Sequence, residues 1–186
     1  MKKAGIVVFA LILGGCVSLK IKSESPKIEE YDLNGKFQTS IKCEKYKNLA
    51  LIGVDSAPSY DTKNILKRFD DGKIEALEGK KWIDLPKNMF VNLLVQEASK
   101  HCVLVSLPPF GVYNPQKILK VNILAFDVSG SEAPKARIAL SYEFFVSGKK
   151  IEGILADQEA IKGNDIKALQ EVSKRVADNL VELFGF

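Results

Sequence analysis

The sequence predicts one α+β domain, a mainly antiparallel sheet with two amphipathic helices packed on it. Three observations carry that expectation. Between residues 119 and 161, three runs alternate apolar and polar with period two, and glycine-containing turns separate them. Two other segments, about 86–100 and 165–184, repeat their apolar residues at helical spacing. Residues 16–186 number 171, enough for one core and too few for two comfortable ones.

In chain order, Lys2 and Lys3 precede an apolar run from Ala4 to Leu13, and Gly14, Gly15 and Cys16 follow. A basic start, a short apolar middle and a small-residue cut site form a secretory signal, assigned to residues 1–15. The run is about half the roughly 20 residues that a membrane-spanning helix needs, so a permanent transmembrane anchor is not expected. Residues 16–30 are polar and broken by Pro26. They read as a flexible tether whose plainest role is that of a spacer. The domain is assigned to residues 31–186, opening at Tyr31-Asp-Leu33 with a turn at Asn34-Gly35.

Leu49–Val54 is nearly all apolar and bounded by polar residues, as in a buried strand. Asn64–Phe69 and Lys73–Leu77 flank Asp70-Asp71-Gly72, a hairpin signal; the acidic pair lacks the further oxygen ligands of a calcium loop. Pro86 suits the first turn of a helix. Met89, Phe90, Leu93, Leu94 and Ala98 form its buried face, Val91 and Val95 widen it, and Asn92, Gln96 and Ser99 leave a narrow polar stripe. His101, the single histidine, falls at its end as a cap or surface residue, and Cys102–Leu107 reads as a strand. Pro108–Pro115 is a loop with an apolar tip. Pro109, Phe110 and Tyr113 are the candidate partner-contact residues on it, although folding back as a lid on the core is the expected arrangement.

In the three alternating strands, Leu119, Val121, Ile123 and Ala125 share one face of the first. Ala136, Ile138, Leu140, Tyr142, Phe144 and Val146 share a face of the second, and Ile151, Leu155 and Ile161 a side of the third. Leu169, Val172, Val176, Leu180 and Leu183 make the stripe of the last helix. Asn164 or Asp165 is its N-cap, Gly185 closes it, and Lys167, Glu171, Lys174 and Asp178 stand opposite at spacings that allow i,i+4 pairs.

Charge and chemistry-bearing residues narrow the function. Formal charge falls from +4 to +2 when Lys2 and Lys3 leave, and no basic block carries interleaved aromatics, so no nucleic-acid partner is expected. Cys43 lies among Lys42, Glu44 and Lys45, whereas Cys102 opens an apolar run; two unpaired thiols are the expectation. The alternative is a disulfide, which export permits. With no CxxC and no His/Cys cluster, neither a metal nor any other cofactor is expected. No GxSxG elbow or phosphate-binding glycine loop occurs, and Asp55, Asp127 and Glu143 read as surface charge, so no catalytic residue is assigned.

Leu13-Gly-Gly-Cys16 resembles the lipobox of bacterial lipoproteins. That resemblance implies cleavage between Gly15 and Cys16, lipid (palmitate-type acyl chains) on Cys16 and a membrane-tethered domain outside the cytoplasm. Val17, rather than aspartate, follows the cysteine, which in that family implies the periplasmic face of the outer membrane. The wider order of parts is lipobox, polar leash, Tyr31-x-Leu33, apolar first strand, hairpin, Trp82 and Pro86 before the first helix, then three strands and a helix. It resembles the ABC-type transport auxiliary lipoproteins, the PqiC-like group. The resemblance implies a noncatalytic accessory of an MCE-type lipid transporter, with an MCE-domain periplasmic protein as partner. The alternative reading is an outer-membrane assembly or scaffold lipoprotein unrelated to lipid transport.

Overall fold

One long strand, β6 (Lys117–Ser129), organises the sheet. In this computed structural model residues 27–34, 42–112 and 114–184 are described. The remaining elements are β1 (Glu29–Tyr31), β2 (Lys47–Ser56), β3 (Asn64–Arg68), β4 (Ile74–Trp82), α1 (Pro86–Lys100), β5 (Val103–Ser106), β7 (Lys135–Val146), β8 (Lys149–Ala160) and α2 (Asp165–Leu183); a single 3₁₀ turn, Pro58–Tyr60, links β2 to β3.

Strand β7 pairs antiparallel with the whole of β6, and β8 with the whole of β7, so the expected meander is present. The other edge of β6 is divided. Its first half, Ile118–Ile123, pairs parallel with β2, and its last residues, Val128 and Ser129, pair parallel with β3. Two wings leave β6 there: β2 continues to β5, while β3 continues through its hairpin to β4 and then β1. The result is a mixed eight-stranded sheet, antiparallel over most of its paired length, with both helices on it.

The division of β6 coincides with a register step between Ile123 and Ala125, which pair with the adjacent residues Leu140 and Ala139. An inserted residue of this kind bends a strand and reverses which face its later side chains meet. Ala125 therefore does not share a face with Leu119, Val121 and Ile123, as strict alternation predicts. Phe126 and Val128, opposite Ile138 and Ala136, continue the core face instead. Asp127, opposite Arg137, moves to the other face.

The core lies between the sheet and the helix layer. Helix α1 packs on β2 and β5, α2 on β7 and β8, and the helices touch each other. Phe90, Leu94, Leu169, Val176 and Leu180 from the helices meet Leu51, Leu119, Ile123, Ile138 and Leu140 from the sheet, all at most 1 % exposed. Each such side chain contributes about 1.5–3 kcal/mol through removal from water. Trp82 at the end of β4 stacks on Phe126 with ring centroids 5.3 Å apart, joining the β3–β4 wing to this core.

Local chemistry explains the element ends. Asp71 accepts the Lys73 N–H within the hairpin turn, and Asp70 accepts the Ser131 N–H from the β6–β7 turn, so the acidic pair holds two neighbouring turns. Asp84 accepts the Leu85 N–H at 2.7 Å and an Asn88 side-chain N–H, bonds that hold its carboxyl below the usual range ahead of α1. Asn164 caps α2 through the Lys167 N–H, and Lys167 reaches Glu171 at 3.6 Å. Opposite Tyr142, Gly153 on β8 leaves room that a Cβ would fill, at 2.7 Å from the phenol oxygen.

Four further expectations change. Strand β1 begins at Glu29, so the last two residues assigned to the tether pair with Lys80 and Lys81 of β4. Leu183 is half exposed, because at the end of α2 it is the neighbouring Phe184 that packs on Phe144 and Tyr142 of β7. Asp178 bonds His101 rather than Lys174. Finally, Cys43 and Cys102 are not idle thiols: they form a disulfide with Cα atoms 5.7 Å apart. The reason is topological. The parallel pairing of β2 with β5 begins at Lys47 and Val103, and the Lys47 N–H donates to the Cys102 carbonyl, so the residues just before both strands meet. The turn at Gly35 and the closing Gly185 lie outside the described residues.

Candidate functional site

The candidate contact surface lies at one end of the sheet, where β5 hands over to β6. Ser106 is fixed by pairing with Ala50 and Lys117 by pairing with Val146, so the loop between them has anchored ends. It opens with Leu107, half exposed, and then a cis Pro108–Pro109 peptide bond. Pro109 is exposed, Phe110 half-buried, Gly111 takes φ +61°, and Val112 is wholly exposed. Among the described residues of the loop, Leu107, Pro109 and Val112 face solvent rather than folding back as a lid, while Phe110 is half-buried. Both helices already cover the apolar face of the sheet. Tyr113 lies outside the described residues.

Polar groups border this apolar tip. Lys47, Asn48, Asn114, Gln116 and Lys117 line one shallow depression beside it. On the other side, Pro115, Ile118, Phe145 and Val146 run to the β7–β8 turn at Ser147-Gly148. An apolar centre with a polar margin is the composition of a contact surface rather than of a closed ligand cavity.

The first described strand, β1, belongs to the wing on the other half of β6. Strand β1 pairs with β4 at Lys80–Trp82, β4 with β3, and β3 with the last residues of β6, whereas the loop enters its first residue. Gly15 and Cys16, the cleavage and lipid-attachment residues expected from sequence, lie outside the described residues. Among the described residues no helix is long and apolar enough to cross a membrane.

The acids read from sequence as surface charge separate into two groups. Asp55 and Glu143 do line one depression of about 280 Å³ on the sheet face away from the helices, with Lys120, Asn122 and Ser141. Glu143 also bonds Lys150 at 3.0 Å, which holds its carboxyl below the usual range. Asp127 is the correction: it is fully buried. Its carboxylate accepts from Tyr60 Oη at 2.6 Å, Arg68 Nε at 3.2 Å, and Arg137 Nε and Nη2 at 3.0 and 2.8 Å. Arg68 also donates to Tyr60 Oη at 2.8 Å. Burial, and then the bond to Asp127, push the Tyr60 phenol above its ordinary value, so it remains the donor. This cluster ties the 3₁₀ turn, β3, β6 and β7 together behind the bulge. Sequence offered one signal for it, an acid directly after two core residues in a strand of otherwise clean alternation.

His101 ends α1, its N–H bonded to the Ala98 and Ser99 carbonyls, and its Nε2 lies 2.7 Å from Asp178 Oδ1 on α2. Of its sequence neighbours, Cys102 is in the disulfide and Ser99 donates to the Gln96 carbonyl.

Comparison with known proteins shows the fold. No family model matches the chain, and no curated protein matches it. The crystal structure of an uncharacterized protein is similar at TM-score 0.69 and 15% identity, covering 86% of this chain and 99% of that one. Protein XCC0632 from Xanthomonas campestris, assigned to the DUF330 family, is similar at TM-score 0.65 and 15% identity, covering 86% and 91%. A more distant likeness, to lipoprotein GNA1162 from Neisseria meningitidis, has TM-score 0.40 and 7% identity over 73% and 98% of the chains, too remote to carry an argument.

Proposed function

We propose that this chain is a lipid-anchored, noncatalytic docking domain. Its acyl chains on Cys16 hold it at the periplasmic face of the outer membrane, and its partner is the MCE-domain periplasmic protein of an ABC-type lipid transport system. The observation that carries the reading is Leu13-Gly-Gly-Cys16 behind a short basic and apolar leader, followed by a polar leash into a folded domain. Each buried CH₂ contributes about 0.8 kcal/mol to anchoring, so two or more chains hold durably. The exposed apolar tip at Leu107, Pro109 and Val112 lies on the half of β6 away from the wing that holds β1, and supports a docking role. The order of parts along the whole chain supports the auxiliary-lipoprotein role over a general scaffold lipoprotein, which would share the lipobox.

A photo-crosslinking amino acid placed at Val112 in cells tests the proposal. The expected result is a crosslink to an MCE-domain protein that disappears when the probe is moved to Glu132, in the turn at the other end of β6. A crosslink to an outer-membrane barrel or a cell-wall protein instead would support the assembly or scaffold reading and reject the transport one.

A further inference from the structure

We propose that His101, Asp178 and Glu182 form a binding site for a divalent transition-metal ion of the zinc type. One ligand atom from each side chain lies within 4.8 Å of the other two. Bonds of about 2.0–2.2 Å to zinc place neighbouring ligand atoms roughly 3.3–3.5 Å apart, so small side-chain rotations close the set around an ion. The histidine nitrogen selects a transition metal over calcium or magnesium, which prefer oxygen alone. Solvent completes the coordination, since His101 and Asp178 are half-buried and Glu182 is exposed.

The backbone holds these ligands in place independently of one another. His101 is fixed on one side by its bonds to the last turn of α1 and on the other by Cys102, which the disulfide ties to Cys43. Asp178 and Glu182 lie one turn apart on α2, which packs beside α1. Charge supplies the second argument. Among the described residues, Asp178 has no ion pair except with His101, and Glu182 has none. Two neighbouring carboxylates are therefore left without a lysine or arginine, and a divalent cation neutralises both while joining the ends of the two helices. Sequence spacing gives no sign of this, because His101 and Asp178 stand 77 residues apart.

The test is isothermal titration of zinc chloride into the untagged full-length protein in detergent, after stripping with a chelator. The wild type is expected to show saturable one-to-one binding. His101→Ala and Glu182→Gln are each expected to weaken it by about tenfold or more, and Glu132→Gln to leave it unchanged. Among the described residues the Glu182 side chain has no ion pair, so Glu182→Gln is expected to retain the fold, as circular dichroism checks. Absence of saturable binding in the wild type, or unchanged affinity in either ligand variant, overturns the proposal.

Discussion

Asp127→Ala is expected to destabilise the domain by about 3 kcal/mol, the lower end of the range for breaking a buried charge pair by removing one partner. The carboxylate is fully buried and accepts four hydrogen bonds from Tyr60, Arg68 and Arg137. Alanine leaves the Tyr60 hydroxyl with Arg68 alone and both guanidinium groups without their counterion. The arginine side chains are 29% and 32% exposed, so water partly replaces what they lose, which is why the lower end applies. The location adds to the cost, since the cluster closes the sheet where β6 exchanges β2 for β3. In urea, the expected result is a lowered midpoint at unchanged slope. Asp55→Ala, in the open depression on the same sheet face, is the control, expected within about 0.5 kcal/mol of wild type. Equal stability of the two variants would refute the role assigned to Asp127.

Loss of the Cys43–Cys102 disulfide is expected to cost about as much, around 4 kcal/mol in the chain-entropy model for a loop of this length. The loop contains β2, β3, β4 and α1, so the bond restricts much of the unfolded chain. The Cys43→Ala/Cys102→Ala variant and the reduced wild type should therefore unfold at similarly lowered denaturant concentrations. Addition of reductant should leave the double variant unaffected. A wild type whose midpoint does not respond to reductant would contradict this.

Most elements were legible in the sequence because each carries a clear local signal, whereas the three residues of β1 were read as tether and domain entry. Period two exposed β6, β7 and β8, helical spacing exposed α1 and α2, and Asp-Gly marked the β3–β4 hairpin. Asn164 was readable as a cap because capping is local. Features set by pairing between distant segments were not legible. The residue inserted near Leu124 leaves only the four-residue apolar run Ile123–Phe126 as a local trace, yet it moves Ala125 to the other face and brings Asp127 to Arg68, 59 residues away. The disulfide depended on the parallel pairing of β2 with β5, which polar neighbours around Cys43 concealed. The apolar loop tip was visible in composition. Its exposure depended on both helices covering the same side of the sheet, which periodicity alone does not specify. Of the candidate contact residues, Pro109 and Phe110 fall on that loop as expected, whereas the lipid-attachment reading at Cys16 rests on local sequence.

Anchoring through Cys16 is the central claim, and metabolic labelling with palmitate followed by membrane fractionation tests it most directly. The wild type is expected to carry label and to sediment with the outer membrane. Cys16→Ala should carry none and leave that fraction, while its folded domain persists. Cys16→Ala protein that still incorporates palmitate and stays with the membrane would contradict the account.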